Sequence, residues 1–379
     1  TYRVAKLIKD FSVRPSDILA LTFTNKASRE MKERIESLLR ISSQGLWFGT
    51  FHGICRRILK IHWKEAELSE RFTILDSQDQ LRLVKRIIKT NNLDEKLYDA
   101  KSIQSFINRK KDNGIRSNQT SEKDDEVYIL TYKEYESILK QTFSVDFADL
   151  ILKTYELLLK HDNILSYYVK RFKHIMVDEF QDTNLLQFKL LKLLNNNTGS
   201  MYAVGDDDQS IYGWRGALSK NIKNFTDQFI DVEIFKLEQN YRSTDKILKV
   251  ANSLITHNKN RLGKELWTNT SRGEQVKIFE AYNNDEESSF IVDKIKMLER
   301  DGYKKAEIAI LYRNNFLSRR LEEELNGRGI PYIIYGGFRF FERAEIKDAV
   351  SYLRIINQKI QIIVSIYYVL VYLTIMIKI

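Results

Sequence analysis

The sequence predicts an α/β protein of parallel sheets flanked by helices, with a helical subdomain inserted and a second sheet domain behind it. Three observations predict it. Short apolar runs rich in β-branched and aromatic residues alternate with stretches of helical period, the pattern of βαβ units. Sharply acidic turns follow directly on two of those runs, at the strand ends where parallel sheets gather their ligands. A polar, lysine-rich stretch of helical period, residues 77–170, separates the second run from the third.

In chain order, residues 17–23 read as a buried strand. Asn25 can cap the helix that follows, whose apolar positions are Met31, Ile35, Leu38 and Leu39. Residues 46–49 give a second strand, entering a helix near His52. Residues 175–177 give a third, 201–204 a fourth, and 233–237, 276–279 and 308–312 continue the series. Inside the insertion, residues 108–114 read as a basic loop and 121–126 as an acidic one.

The 379 residues suffice for two or more domains, each with its own core. A net charge of +10 suits an anionic partner such as nucleic acid, through neutralised phosphates and released counterions. Charge alone does not establish one. Lys110 and Lys111 are candidate DNA contacts on this ground, against the plainer reading of a solvated charged face. The single Cys55 excludes an intramolecular disulfide and fits a reducing cytoplasm, and no Cys/His cluster has zinc-site spacing. Thr1 opens the sequence without a signal-peptide pattern and reads as a cut end. From Ile360 to Ile377 the sequence is almost wholly apolar. That run reaches the lower limit of a membrane span. A tail anchor and a buried core segment are alternatives to the favoured reading, a frameshifted or truncated end foreign to the fold.

Asp178 and Glu179 follow an apolar strand directly. Adjacent side chains on a strand alternate faces, and unpaired buried charge is costly, so the pair belongs at a cleft. There Asp178 can hold Mg²⁺ through water, and Glu179 can orient or deprotonate an attacking water. The plainer alternative is an acidic turn capping the helix near Asn184. Arg242, in Asn240-Tyr241-Arg242-Ser243, can place fixed positive charge on phosphoryl oxygens, and Gln209 can hydrogen-bond a γ-phosphate. Tyr241 can stack on a base. A surface ion pair for Arg242 and a core position for Tyr241 are the competing readings. Tyr212, Trp214 and Arg215 lie in a polar glycine-containing loop, poor surroundings for core residues and good ones for stacking on unpaired bases. Phe23 and His52 follow the first two strands, flanked by Thr24, Asn25, Lys26 and Thr50, whose polar groups can hold phosphates without reading sequence. Gln209 and the base platforms share one loop, so nucleotide state could move the platform directly.

On these residues the chain resembles the superfamily 1A DNA helicases of the UvrD/PcrA/Rep group. The resemblance rests on residues 19–27 (motif Ia), 49–52 (Ib), 146–150, 177–184 (II), 204–217 (III), 237–244 (IV), 335–343 and 345–348, and it covers about residues 1–358. It implies a P-loop NTPase fold of two RecA-like domains with ATP and Mg²⁺ between them, translocating 3′ to 5′ on single-stranded DNA and at single-strand/duplex junctions. Domain 1A takes residues 1–76 and 171–230, the helical insertion 1B residues 77–170, and a partial 2A residues 231–358. Residues 359–379 form an apolar tail outside the pattern. The resemblance assigns Asp178 to the metal, Glu179 to the water, and Gln209 and Arg242 to the γ-phosphate. It sets Tyr241 on adenine and Phe23, Tyr212 and Trp214 along the DNA. It also implies a cytoplasmic protein, monomer or weak dimer, working with repair or replication proteins and without a membrane.

The sequence departs from the family pattern in having no Gly-x-x-x-x-Gly-Lys-Ser/Thr loop, which is expected just before Thr1. The 2B domain and motifs V and VI are expected after residue 358. A fragment inactive alone is therefore expected. The alternatives are an ATP-independent single-stranded DNA-binding remnant, a helicase subunit of a RecB/AddA-type nuclease, or a two-metal nuclease using Asp178, Glu179, Asp182 and residues 206–208.

Overall fold

The computed structural model describes residues 1–40, 45–121, 123–196, 199–213, 221–258, 261–271, 273–335, 346, 349–350 and 352–353. The apolar tail, Trp214, Arg215 and the stretch 336–345 lie outside the described residues. The chain divides into two compact units, Thr1–Ser243 with Ala251–Asn269, and Thr244–Val250 with the residues from Thr270 onward.

The first unit is built on four parallel strands in the order β2-β1-β5-β6. These are β1 (Ile18–Thr22), β2 (Trp47–Thr50), β5 (His174–Val177) and β6 (Ser200–Ala203). All four expected strands of this sheet are present within a residue or two. β1 is buried along its whole length, because both of its faces are covered. Leu19 and Leu21 join Ile175 and Val177 in a large core with helices α3 (Phe51–Ile61), α7 (Phe147–Lys160), α8 (Asp162–Arg171) and α9 (Leu185–Asn195). Ile18 and Ala20 face the other way, onto α1 (Tyr2–Lys9) and α2 (Asn25–Leu39), packing with Val4, Leu7 and Ile35. The two-residue period of the strand thus feeds two helical layers. α10 (Asn221–Gln228) closes the large core with Phe225, edge-on to Phe180 at 5.3 Å.

Between β2 and β5 the insertion begins and ends on a second parallel pair, β3 (Thr73–Leu75) and β4 (Ser144–Asp146), which the sequence pattern did not announce. Its helices α4 (Ser77–Thr90), α5 (Ala100–Asp112) and α6 (Glu126–Gln141) enclose their own core around Val84, Ile87, Ile103, Ile107 and Tyr132. Here the basic-loop expectation fails. Residues 108–112 are the last turn of α5. Lys111 is fully buried, its ammonium 2.6 Å from Asp146 and 2.7 Å from Asp149. Lys110 pairs with Asp124 at 2.5 Å. Neither lysine is a free contact for DNA or a solvated face. Two carboxylates closing β4 and opening α7 need a buried cation, and a charge run in a sequence does not reveal which of its members answers that need.

In the second unit, α12 (Asn284–Arg300) and α13 (Ser318–Gly327) pack through Val292, Ile295, Leu321, Leu325 and Ile330. α11 (Asp245–Ile255) spans the division between the units. The expected strands at 233–237, 276–279 and 308–312 do not form ladders. Phe235, Leu237, Ile278 and Leu311 stand exposed. β-propensity marks a segment able to pair but does not supply its partner, and among the described residues these three segments have none.

Candidate nucleotide and nucleic-acid site

The sheet's carboxyl edge collects most of the residues singled out from the sequence. Backbone bonds continue the ladder past the strand ends: Asp178 N–H donates to Leu21 O at 2.9 Å, and Phe180 N–H to Val204 O at 2.9 Å. Between these anchors Glu179 is forced into the left-handed region, φ 54° and ψ 45°. That conformation costs a non-glycine residue about 1–3 kcal/mol and is typical of functional positions. It leaves the carboxylate exposed beyond the sheet. Asp178 is half-buried, and burial together with the neighbouring Glu179 charge pushes its pKa up. The same two causes push Asp182 up to about 6.

A hydrogen-bonded line joins this edge to the loop after β6. The buried Gln181 donates from Nε2 to Glu179 Oε2 at 2.8 Å, and its Oε1 accepts from Asp206 N–H at 2.9 Å. Gln209 Nε2 donates to Asp206 Oδ2 at 2.7 Å. Gly205 is required in this passage, since a Cβ there would stand 2.7 Å from Gln181 Oε1. Asp206 is held below the usual carboxylate range: burial opposes this, but bonds from Lys264 and Gln209 outweigh it. Asp206, Asp207 and Asp208 are close enough to share an ion, and the Lys264 ammonium already lies among them and offsets part of their charge.

Three residues beyond Gln209, Tyr212 stacks on Phe23, with ring centroids 5.1 Å apart and planes 28° apart. Thr24, rather than Asn25, is the N-cap of α2, its Oγ1 accepting from Ala27 N–H; Asn25 is the first helical residue and is exposed. Thr50 caps α3 in the same way, accepting from Gly53 N–H at 3.2 Å. Each hydroxyl keeps its proton for another acceptor, and each helix N-terminus favours an anion. His52 meets Phe147 edge-on at 6.0 Å, and burial lowers its pKa. Trp214 and Arg215 lie outside the described residues.

Tyr241 and Arg242 are exposed. Asn240 shapes their turn, its Oδ1 accepting from Arg242 N–H at 2.9 Å and Ser243 N–H at 2.7 Å. No hydrogen bond among the described residues joins the Arg242 guanidinium to Glu179 or Gln209. Sequence reasoning missed Gln181 as a bridge, and missed Arg261 and Lys264 altogether. A row of three aspartates was the only signal that cations had to come from elsewhere.

Comparison with known proteins adds the following. Residues 1–230 match the family model of the UvrD/REP helicase N-terminal domain, and residues 235–373 that of the UvrD-like helicase C-terminal domain. The second match runs into the apolar stretch that sequence reading set outside the family pattern. The chain is 48% identical over 361 residues to a protein named DNA helicase II of Escherichia coli, covering 94% of this chain and 50% of that protein. It is 47% identical over 366 residues to DNA helicase II of Haemophilus influenzae, covering 95% and 50%. Against the ATP-dependent DNA helicase PcrA of Bacillus subtilis it is 41% identical over 362 residues, covering 94% and 49%. The chain thus spans about half the length of the curated relatives it matches.

Proposed function

The chain belongs to the UvrD/REP helicase family, and from that membership we propose that it is motor machinery of an ATP-dependent DNA helicase that moves 3′ to 5′ along single-stranded DNA. The observation that carries this reading is the line Glu179–Gln181–Asp206–Gln209, which ends three residues from the stacked Phe23–Tyr212 pair. A carboxylate able to handle water, an amide able to meet a phosphate and a ring pair able to meet bases share one sheet edge.

In this reading ATP and Mg²⁺ are the cofactors; the ion supplies neutralisation of phosphate charge. Asp178 suits its hydrated shell, because a half-buried carboxylate beside Glu179 is short of positive charge. Glu179 accepts a proton from the attacking water, oriented by the amide of Gln181. Gln209 hydrogen-bonds the γ-phosphate, Arg242 places positive charge on it, and the exposed Tyr241 ring stacks on adenine. Phe23, Tyr212, Trp214 and Arg215 contact bases and backbone, while Thr24, Asn25, Thr50 and His52 hold phosphates through neutral donors. Because Phe23 and Tyr212 stack on each other, a base enters between them only when the Gln209 loop shifts. Nucleotide state thereby gates the track. The substrate class is single-stranded DNA and its junctions with duplex, in repair or replication in the cytoplasm. The two family domains correspond to two RecA-like lobes, with the helices between β3 and β4 as an added subdomain, while α7 and α8, within the expected 77–170, pack in the core of the first lobe.

Two variants test this. Glu179→Gln, made in a chain that also carries the expected phosphate loop and motif VI, should lower DNA-stimulated phosphate release by roughly a hundredfold or more while leaving affinity for an oligothymidine unchanged. Tyr212→Ala should weaken that affinity by about 1–3 kcal/mol. Wild-type turnover in Glu179→Gln would overturn the catalytic assignment. DNA binding without turnover is what a fragment inactive alone is expected to show; DNA binding that MgATP leaves unchanged would favour the ATP-independent alternative.

A further inference from the structure

We propose that Arg261 and Lys264 are positioning residues for this site, a cationic clamp that ties the Gln209 loop to the chain leading into Tyr241 and Arg242. The inference rests on the reading of Gln209 and Arg242 as nucleotide contacts given above. Arg261 grips Asp208 with two parallel bonds, Nε to Oδ1 at 2.9 Å and Nη2 to Oδ2 at 2.7 Å, and its Nη2 also donates to Lys264 O at 2.9 Å. Leu262 N–H donates to Asp207 Oδ2 at 2.7 Å. Lys264 Nζ bonds Asp206 Oδ1 and lies 3.8 Å from Asp207 and 3.7 Å from Asp208. All three carboxylates of the loop are therefore held by residues 261–264. The ion-paired side chains are mostly shielded, Arg261 17% and Lys264 16% exposed, so water screens these bonds only in part.

The same short segment is bonded at its other end. Trp267 N–H donates to Glu238 O at 3.0 Å, and Asn240 N–H to Trp267 O at 2.7 Å, forming a parallel bridge between Gln239 and Trp267. Lys236 Nζ secures the middle, donating to Leu262 O at 3.1 Å and Gly263 O at 2.6 Å. Asp206 is the junction: one carboxylate oxygen takes Lys264 and the other takes Gln209. A displacement of Gln209 consequently pulls on Asp206, on Lys264 and, through residues 265–267, on Asn240, whose side chain sets the turn of Arg242. Without the two cations, three successive carboxylates would repel one another and the loop would keep only its bonds to Gln181 and the Leu262 amide.

Hydrogen–deuterium exchange of the chain, read at the amides of residues 206–210 and 240–243, tests the clamp. Arg261→Ala and Lys264→Ala should each speed exchange at 206–210 by about tenfold or more. The exchanged pair Asp208→Arg with Arg261→Asp should restore slow exchange, which a merely damaged fold does not do. With MgATP added to a chain that also carries the expected phosphate loop, the wild type should gain protection at both segments. Unchanged exchange in both single variants, or no recovery in the exchanged pair, would each overturn the clamp. Absence of any MgATP effect in the wild type would instead overturn the nucleotide reading, and the exchange rates without nucleotide would still decide the clamp.

Discussion

Asp182 shows how a single residue at this edge is governed by its surroundings. It is nearly buried, one carboxylate oxygen has no hydrogen-bond partner among the described residues, and burial with the Glu179 charge pushes it up to about 6. Well below its ordinary value of 3.8, the folded and unfolded chains are both protonated and no penalty arises. As pH rises, the unfolded chain loses its proton first, and above about 6 the folded state bears the full cost of the ionised group. Asp182→Asn should therefore stabilise the protein at pH ~7.5 by on the order of 1 kcal/mol, allowing for solvent screening, and make no difference at pH ~3. Urea unfolding at the two pH values checks this. Asp178 and Glu179 were legible in the sequence because an acidic pair after an apolar run has few other places to go. Gln181, Arg261 and Lys264 were not, because their partners are set by the turn geometry at Glu179 and by a contact more than fifty positions away along the chain.

At the scale of elements, the joint between α5, β4 and α7 is electrostatic. Arg116 adds to it, bonding Asp149 at 2.8 Å, Glu136 at 3.1 Å and Glu156 at 2.6 Å, while Tyr135 donates to Asp146 at 2.8 Å. Removing one partner from such a cluster leaves buried charge uncompensated. Lys111→Met should cost about 3–5 kcal/mol in urea unfolding, and adding Asp146→Asn should recover part of the loss. A loss below about 1 kcal/mol would mean that the site is wetter than its burial implies. The four strands of the main sheet were readable because both faces of β1 are apolar and the acidic turns mark two strand ends. Segments 233–237, 276–279 and 308–312 carry the same local signature without forming ladders, since pairing depends on neighbours that composition does not name. The β3–β4 pair failed in the opposite sense: three residues a side are too few for periodicity to register.

For the molecule as a whole, the net charge of +10 bears on the proposed partner. Affinity for oligothymidine should fall steeply with salt, by roughly tenfold or more between 50 and 200 mM, and Tyr212→Ala should shift the whole line without changing its slope. A flat salt response would argue against contact with a nucleic-acid backbone. The pairing of β3 with β4 has a different consequence, in the order of folding. β2 and β5 flank β1 in one sheet, yet the entire insertion lies between them in the chain. The insertion has its own core, and Thr73 sits beside Ser144 where its two ends meet. Once that core forms, the span to be closed before β5 can dock shrinks to residues 51–72 and 147–173, much of it in α3, α7 and α8, and part of the loop-closure entropy has already been met locally. The inserted helices thus act on the nascent chain as a splint, bringing distant strands within reach before the main sheet exists.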